Sequence, residues 1–340
     1  MSSYVPDVSI VIPLYGGADL TRACLDSLAR HPSKFALEIL VVDDASPDAQ
    51  SQALLDELEA QGSVQVLRQD QNRGFASACN RGYRAAKAPL VLLLNNDTEV
   101  LAGWLDPLLQ AFEDPRVAIA GSLLLYPGGH LIQHAGIGTT RRKKQLRVFH
   151  YGQYWRVDEL AWATQTRNIS AVTGACMAVR RSALGQADLL DEGYRNGYED
   201  LDLCFRMRKQ GWLVRYCGNS RVIHHESVSE GRFEAEAANS ARFLERWSAS
   251  EEFVDPCAGH WELLDRRARR EYIVHPTPTG ARRVARLARA AGAGSEAGLW
   301  EQLARGGLFR WRQISARRCD DLRHQLGLTD LTVRGQGSGS

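Results

Sequence analysis

Short apolar, β-branched runs alternate with helical patterns through the first hundred residues, and that alternation leaves few folds open. Residues 8–14, Val-Ser-Ile-Val-Ile-Pro-Leu, read as a buried parallel strand. Residues 19–30 follow as a helix, with Leu20, Ala23, Cys24 and Leu28 at helical spacing and Asp19 as its N-cap. Residues 37–42 give a second strand, stopped by Asp43 and Asp44. Residues 48–60 predict a helix, 64–67 a strand, and 74–87 a helix rich in small residues. Residues 89–94 give a fourth strand, ending in Asn95-Asn96-Asp97. Strand–helix alternation with short connections produces a mainly parallel sheet covered by helices on both faces. Ligands of such α/β sheets bind beyond the carboxyl ends of the strands. Polar residues at those ends are therefore the first candidates for function.

The next stretch is less regular. Residues 117–126 and 172–180 read as strands, 198–210 as a helix, 212–216 as a strand, with another near Val222. Between them, residues 139–168 carry Arg141, Arg142, Lys143, Lys144 and Arg147 and several aromatics without a clear period, and read as a long loop. Residues 232–255 and 281–325 have helical patterns, and 335–340 form a flexible Gly/Ser tail. The expected division is a catalytic-type α/β domain over 1–255, split into halves at about residue 100, and a helical region over 256–334.

Composition narrows the classes further. The 340 residues are 44% hydrophobic and 24% charged, which excludes a disordered or fibrous chain. The seven cysteines are scattered and form no Cys-x-x-Cys pair, which points to reduced thiols and a cytoplasmic setting rather than a disulfide frame or zinc ribbon. The first apolar run is too short to span a membrane, and Asp7 stands where a signal peptide would be basic, so the chain is expected to be soluble or peripheral. A net charge of +2 hides an asymmetry. From residue 265 onward there are 15 Arg, no Lys and 7 acids, a net +8, which leaves −6 on the remainder.

The residues that carry chemistry sit at the strand ends. A carboxylate at Asp43 or Asp44 can accept the N3–H of a pyrimidine, or simply shape a turn. Asn95, Asn96 and Asp97 can hold ribose hydroxyls and a hard divalent cation, whose other ligands a diphosphate supplies. Glu199 and Asp200 open a helix, where an acid serves as a general base or as a dipole complement. Asp202 and Arg206 are spaced for a local ion pair. His224 and His225 end a strand and must point to opposite faces, so at most one can join a metal site with Asp97.

The order and spacing of these signals carry more than each alone. The run from Val8 to Tyr15, the Val41-Val-Asp-Asp-Ala-Ser46 segment, Asn72-Arg-Gly-Phe-Ala76 with Asn80, and Leu94-Asn-Asn-Asp-Thr98 resemble the nucleotide-sugar half of glycosyltransferase family 2. Ile132-Gln-His-Ala-Gly136, Ser170-Ala-Val-Thr-Gly-Ala175, Tyr198-Glu-Asp-Leu-Asp-Leu-Cys204 and His224-His-Glu-Ser227 resemble its bacterial branch that builds O-antigen and other surface polysaccharides. The resemblance covers about residues 7–230.

It implies a GT-A fold, an inverting transfer from a nucleoside-diphosphate sugar, UDP- or dTDP-linked, and a Mn²⁺ or Mg²⁺ cofactor. It places Pro13 and Tyr15 near the base, Asp44 with Asp43 on the pyrimidine, and Arg73 near base or phosphates. Asn96, with Asn95 beside it, faces the ribose, and Gly174 and Ala175 line the donor and acceptor pocket. Asp97 ligates the metal with His224, His225 being the fallback. Asp200 is the catalytic base, with Glu199 beside it. Asn95 and Asn96 stand where many members carry aspartates, which leaves one protein carboxylate at the metal.

Other classes fit less well. A Rossmann dehydrogenase needs Gly-x-Gly-x-x-Gly after the first strand, and this chain has Tyr15-Gly-Gly-Ala-Asp19. A nucleotidyltransferase would show a Gly-rich basic loop there. A non-catalytic glycan- or nucleotide-binding protein predicts loss of the base or metal acid, and both are present. The acceptor is a lipid-linked glycan, a polysaccharide or a protein. The Arg-rich C-terminal region, outside the resemblance, reads as a helical region packed on the catalytic domain or as a basic, aromatic face on an anionic membrane at the cytoplasmic side. No recognised nucleic-acid motif accompanies it, although a modified DNA acceptor would suit its charge.

Overall fold

The computed structural model describes residues 5–142, 145–153, 155–225 and 235–250. All its elements lie within one compact unit, Met1–Glu262. The centre is a strand of unbroken burial, β1 (Val8–Leu14). It pairs in parallel with β2 (Leu37–Asp43) on one side and β4 (Leu90–Leu94) on the other, and β2 pairs in parallel with β3 (Gln65–Arg68).

Alternation along β1 sorts its side chains onto two faces. Val8, Ile10, Ile12 and Leu14 share one core with Cys24 and Leu28 of α1 (Ala18–Arg30), Leu54, Leu55 and Leu58 of α2 (Ala49–Gln61), and Trp104 with Leu105 and Leu108 around α4 (Leu105–Gln110). Each such aliphatic side chain contributes roughly 1.5–3 kcal/mol when fully buried. Val11 faces the other way, against α3 (Phe75–Ala85). Helix and strand touch there because residue 82 is glycine, where a Cβ would run into the Val11 methyls. The result is three layers, helix on sheet on helix.

The second half extends the same sheet. The strand order is β10-β12-β6-β11-β4-β1-β2-β3, where β6 is Val117–Leu125, β10 is Thr166–Asn168, β11 is Cys176–Arg180 and β12 is Leu213–His224. Two short strands branch from it: β5 (Thr98–Val100) pairs with β12, and β7 (Ile132–His134) with β6. β11 runs antiparallel to β4 and β6, whereas β12 is parallel to β6. The carboxyl ends of β1, β2, β3, β4, β6 and β12 therefore share one edge of the sheet. Beyond Val11, β1 has no partner on β4, so Pro13, which has no N–H to offer, costs no ladder bond on that side.

Several sequence expectations need correction. Residues 139–168 are not a long loop. They include β8 (Ile137–Arg142) and β9 (Gln145–His150), an antiparallel ribbon registered from Ile137↔His150 to Arg142↔Gln145, and end in β10. The ribbon forms its own two-stranded sheet, so it needs no continuous apolar run. The expected strand at 172–180 starts only at Cys176, and the preceding residues turn over the sheet edge. The two strands expected at 212–216 and near Val222 are one, since β12 continues through Gly218-Asn219-Ser220 with a register break between Cys217 and Arg221. Asp19 does not cap α1. Gly17 occupies that position with a left-handed φ of 74°, and Asp19 lies in the first turn. Asp48 does cap α2, accepting a hydrogen bond from the Ser51 amide at 2.8 Å.

The remaining helices are α5 (Arg181–Leu184), α6 (Glu199–Lys209) and α7 (Glu236–Trp247). α7 falls inside the expected 232–255 helix. The expected helices at 281–325 and the tail at 335–340 lie outside the described residues. Asp202 and Arg206 form the expected ion pair at 3.0 Å, but fully buried Asp202 does more. It also takes the Trp247 indole N–H at 2.9 Å and the Arg246 guanidinium at 3.1 Å, which docks α7 on α6. All five cysteines among the described residues are free and buried.

Candidate active site

The tips of β1 and β2 are held together by local hydrogen bonds. Ser46 donates its amide to Asp43 Oδ1 at 2.9 Å and receives the Gly16 amide on Oγ at 2.9 Å. Tyr15, just past Pro13, projects with half its surface exposed. Asp44 is buried and already employed. Oδ1 accepts from the Arg73 amide at 2.8 Å and the Gln69 side chain at 2.7 Å, and Oδ2 accepts from the Gly74 amide at 2.7 Å. Asp44 thus fixes the segment leading into α3, on which Arg73 is exposed. Burial pushes the Asp44 carboxyl above its ordinary value, ahead of the pull from the Arg73 and Gly74 amides.

The Asn95-Asn96-Asp97 turn ties three segments to one point. The Asn95 amide donates to the Ala175 carbonyl at 2.9 Å, which pins the 170–175 turn beside the end of β4. Asn96 Nδ2 donates to the Gly16 carbonyl at 3.3 Å and to Thr21 Oγ1 at 3.0 Å, joining the tip of β1 to α1. Asp97 Oδ1 lies 3.1 Å from His224 Nε2, with both side chains less than a tenth exposed. His224 reaches it because β12 and β5 are paired, with His224 opposite Thr98. His225 points the other way, to Glu99 at 2.8 Å. The geometry therefore brings the His224 ring, and not the His225 ring, to the Asp97 carboxylate, while the His225 amide bonds the Asp97 carbonyl at 2.9 Å. A carboxylate oxygen and an imidazole nitrogen facing each other at a sheet edge can ligate a divalent cation. Among the described residues no group of three or more His, Cys, Asp or Glu is arranged to hold a metal. A cation here would have two protein ligands and would take others from a bound diphosphate.

Asp200 sits on the first turn of α6. Its Oδ2 accepts the Gly174 amide at 2.8 Å, and Oδ1 accepts the Leu201 amide at 2.8 Å. Glu199 is buried and turned back onto the Gly197 amide at 2.7 Å. Asn196, Gly197 and Tyr198 precede them with φ of 51°, 155° and 75°. Positive φ at Asn196 and Tyr198 is uncommon for non-glycine residues and marks a tightly constrained turn. Ring contact of Tyr198 with Phe243 of α7, at 5.4 Å between centroids, helps to hold it.

Sequence reasoning assigned no role to several residues that build this edge. Gln133 and His134 lie in the Ile132–Gly136 motif, which by itself gives them no task. Gln133 contacts His224, with its Oε1 2.6 Å from His224 Nδ1. Buried Asn239 of α7 bonds both the amide and the carbonyl of Arg195, at 3.1 and 2.7 Å. No sequence signal marked Asn239, since a polar residue on a helix usually faces water.

A three-layer α/β/α sheet with an acid-lined carboxyl edge, extended by a mixed half, is the GT-A architecture. The structure resembles that of GalNAc-T7 with UDP, GalNAc and Mn²⁺, with a TM-score of 0.56 and 19% identity over 79% of this chain and 52% of that one. Residues 9–187 match the model of glycosyl transferase family 2, and the chain belongs to that family. It is 32% identical over 258 residues to the O-antigen biosynthesis protein RfbC of Myxococcus xanthus, covering 74% of this chain. It is 30% identical over 217 residues to an N-acetylglucosaminyl-diphospho-decaprenol L-rhamnosyltransferase of Mycobacterium tuberculosis (strain ATCC 25618 / H37Rv), covering 58% of this chain and 69% of that protein. The matched region is only 20% of the length of RfbC.

Proposed function

We propose that the chain is a metal-dependent, inverting glycosyltransferase. It would move a sugar from a UDP- or dTDP-linked donor to a hydroxyl of a polysaccharide or lipid-linked glycan. The observation that carries this is the convergence of distant segments at one sheet edge. Asp97 meets His224 across 127 positions of sequence, and the Asn95 amide holds the turn whose Gly174 amide holds Asp200. The names of the O-antigen and rhamnosyltransferase relatives favour a glycan acceptor.

Each group has a physical task in this reading. Tyr15 stacks against or borders the base, and the remaining lone pair of Asp44 Oδ2 takes a pyrimidine N3–H. Asn96, with its amide protons used on Gly16 and Thr21, offers its oxygen to the ribose. Asp97 and His224 would hold a cation, which when bound would supply neutralisation of the diphosphate's charge. Asp200 removes the proton of the attacking hydroxyl, and the Gly174 amide fixes its carboxylate plane. A positioned base contributes roughly 10²–10⁴-fold. No helix among the described residues is long and apolar enough to cross a membrane.

The test pairs binding with turnover. Thermal shifts with UDP, dTDP, GDP and CDP, each with and without Mn²⁺, should show selective, Mn²⁺-dependent stabilisation by UDP or dTDP. Asp200→Asn should keep that shift and lose transfer. An Asp200→Asn enzyme that transfers sugar at the wild-type rate would remove Asp200 as base, and no nucleotide shift at all would remove the donor site.

A further inference from the structure

Gln133 has no role in the reaction as described, yet it is buried against the residue opposite Asp97. It lies on β7, where pairing with β6 skips a step. Leu124 is opposite His134 and Leu125 opposite Ile132, so Gln133 is the extra residue of a β-bulge. Bulges re-aim a side chain out of the regular alternation. Here the side chain is aimed at His224.

The contact is made twice on the same residue. Gln133 Nε2 is 3.3 Å from the His224 main-chain carbonyl, and Gln133 Oε1 is 2.6 Å from His224 Nδ1. A carbonyl oxygen only accepts, so the amide nitrogen must be the atom facing it, which leaves Oε1 at the ring. Oε1 also only accepts, so Nδ1 must carry the proton. The other ring nitrogen, Nε2, is the one 3.1 Å from Asp97. Glutamine is the suited residue, because one side chain must both donate to a carbonyl and accept from a ring N–H.

We propose that Gln133 is a positioning residue that holds His224 with a proton on Nδ1, so that Nε2, the nitrogen aimed at Asp97, is the one left to ligate a cation. This deepens the proposed function and rests on it, since it is the cation at Asp97 and His224 that the tautomer serves. Ligating histidines are usually oriented in this way by the bond their other nitrogen makes, and losing the partner typically costs about 10–100-fold in metal affinity.

Two measurements test it. Long-range ¹H–¹⁵N correlation of ring-labelled protein, with the signal assigned by its loss in His224→Gln, should show a protonated Nδ1 with and without Mg²⁺ and UDP. A bare Nδ1 on the wild-type ring overturns the proposal, and this reading needs no Gln133 variant to fold. Free Mn²⁺ measured by EPR in saturating UDP should show weaker binding, by about 10–100-fold, in Gln133→Met. Gln133→Glu, which keeps an acceptor at Nδ1 but loses the donor to the His224 carbonyl, should bind Mn²⁺ more tightly than Gln133→Met. Equal Mn²⁺ affinity in wild type and Gln133→Met overturns the proposal. Wild-type protein that binds no Mn²⁺ with UDP would instead overturn the metal reading itself, while the ring signal would still decide the tautomer.

Discussion

At the scale of single residues, two adjacent histidines were chemically equivalent in sequence and are separated by backbone alternation. His224 and Asp97 face each other in a buried edge, whereas His225 pairs with partly exposed Glu99. His224→Ala is therefore expected to abolish Mn²⁺-dependent UDP binding in calorimetry, and His225→Ala to leave it close to wild type. Equal losses in both variants would sink this division of labour. The acids at strand ends were legible because strand–helix alternation alone says which end of a run carries ligand chemistry. The tasks of Asp44 and Asp200 were less legible. Both are held by main-chain amides, of Arg73 and Gly74 in one case and Gly174 in the other. No side-chain pattern records where an amide points. Gln133 was invisible for a related reason, since a bulge is a relation between two strands and not a property of either.

At the scale of elements, the first three helices and β1 to β4 were readable within a few residues, the helices by their period and the strands as short apolar runs. The β8–β9 ribbon was not, because its strands pair with each other and carry polar residues along their length. The docking of α7 was also hidden, since the spacing of Asp202 and Arg206 predicts only a local ion pair. Asp202 is instead fully buried, with Arg206, Arg246 and Trp247 converging on it. Removing one partner of a buried ion pair typically costs about 3–5 kcal/mol. Asp202→Ala should lower the urea midpoint accordingly and speed hydrogen exchange in α7 and the 195–198 turn before the main sheet. Unchanged exchange in α7 would show that Asp202 does not anchor it. Because that turn carries Tyr198, Glu199 and Asp200 into place, loosened α7 should also slow transfer more than it weakens nucleotide binding.

At the scale of the whole molecule, buried titratable groups set a pH window for stability. Burial, with His150 and His224 nearby, holds the His134 imidazole well below its ordinary value of 6.5. The Thr173 amide lies 3.4 Å from its Nε2, and its Nδ1 meets His150 at 3.0 Å, which suits a neutral ring. Below pH 6.5 the unfolded chain binds a proton that the folded one refuses, so stability falls as pH drops. Burial also pushes the thiols of Cys24, Cys176, Cys204 and Cys217 up to about 12 from an ordinary 9.0. Above pH 9 the unfolded chain releases protons that the folded chain keeps, so stability falls again as pH rises. Urea midpoints should be highest between about pH 6.5 and 9 and lower at pH 5.5 and 10. His134→Gln should lessen the acid-side loss. A midpoint as high at pH 5.5 as at pH 7.5 would contradict the His134 part.

The position of β12 has a consequence for how the protein is made. It carries His224, yet it lies inside the sheet, between β6 and β10, and among the described residues it is the last strand to be synthesised. A growing chain that ends before Leu213 has every residue of the β1–β4 half but lacks the partner of Asp97. Fragment 1–212 should accordingly retain no Mn²⁺-dependent UDP on a filter, and retention would show that the first half suffices. On the ribosome, competence would arrive in one step when β12 slots beside β6, so an unfinished chain would not tie up the nucleotide-sugar pool.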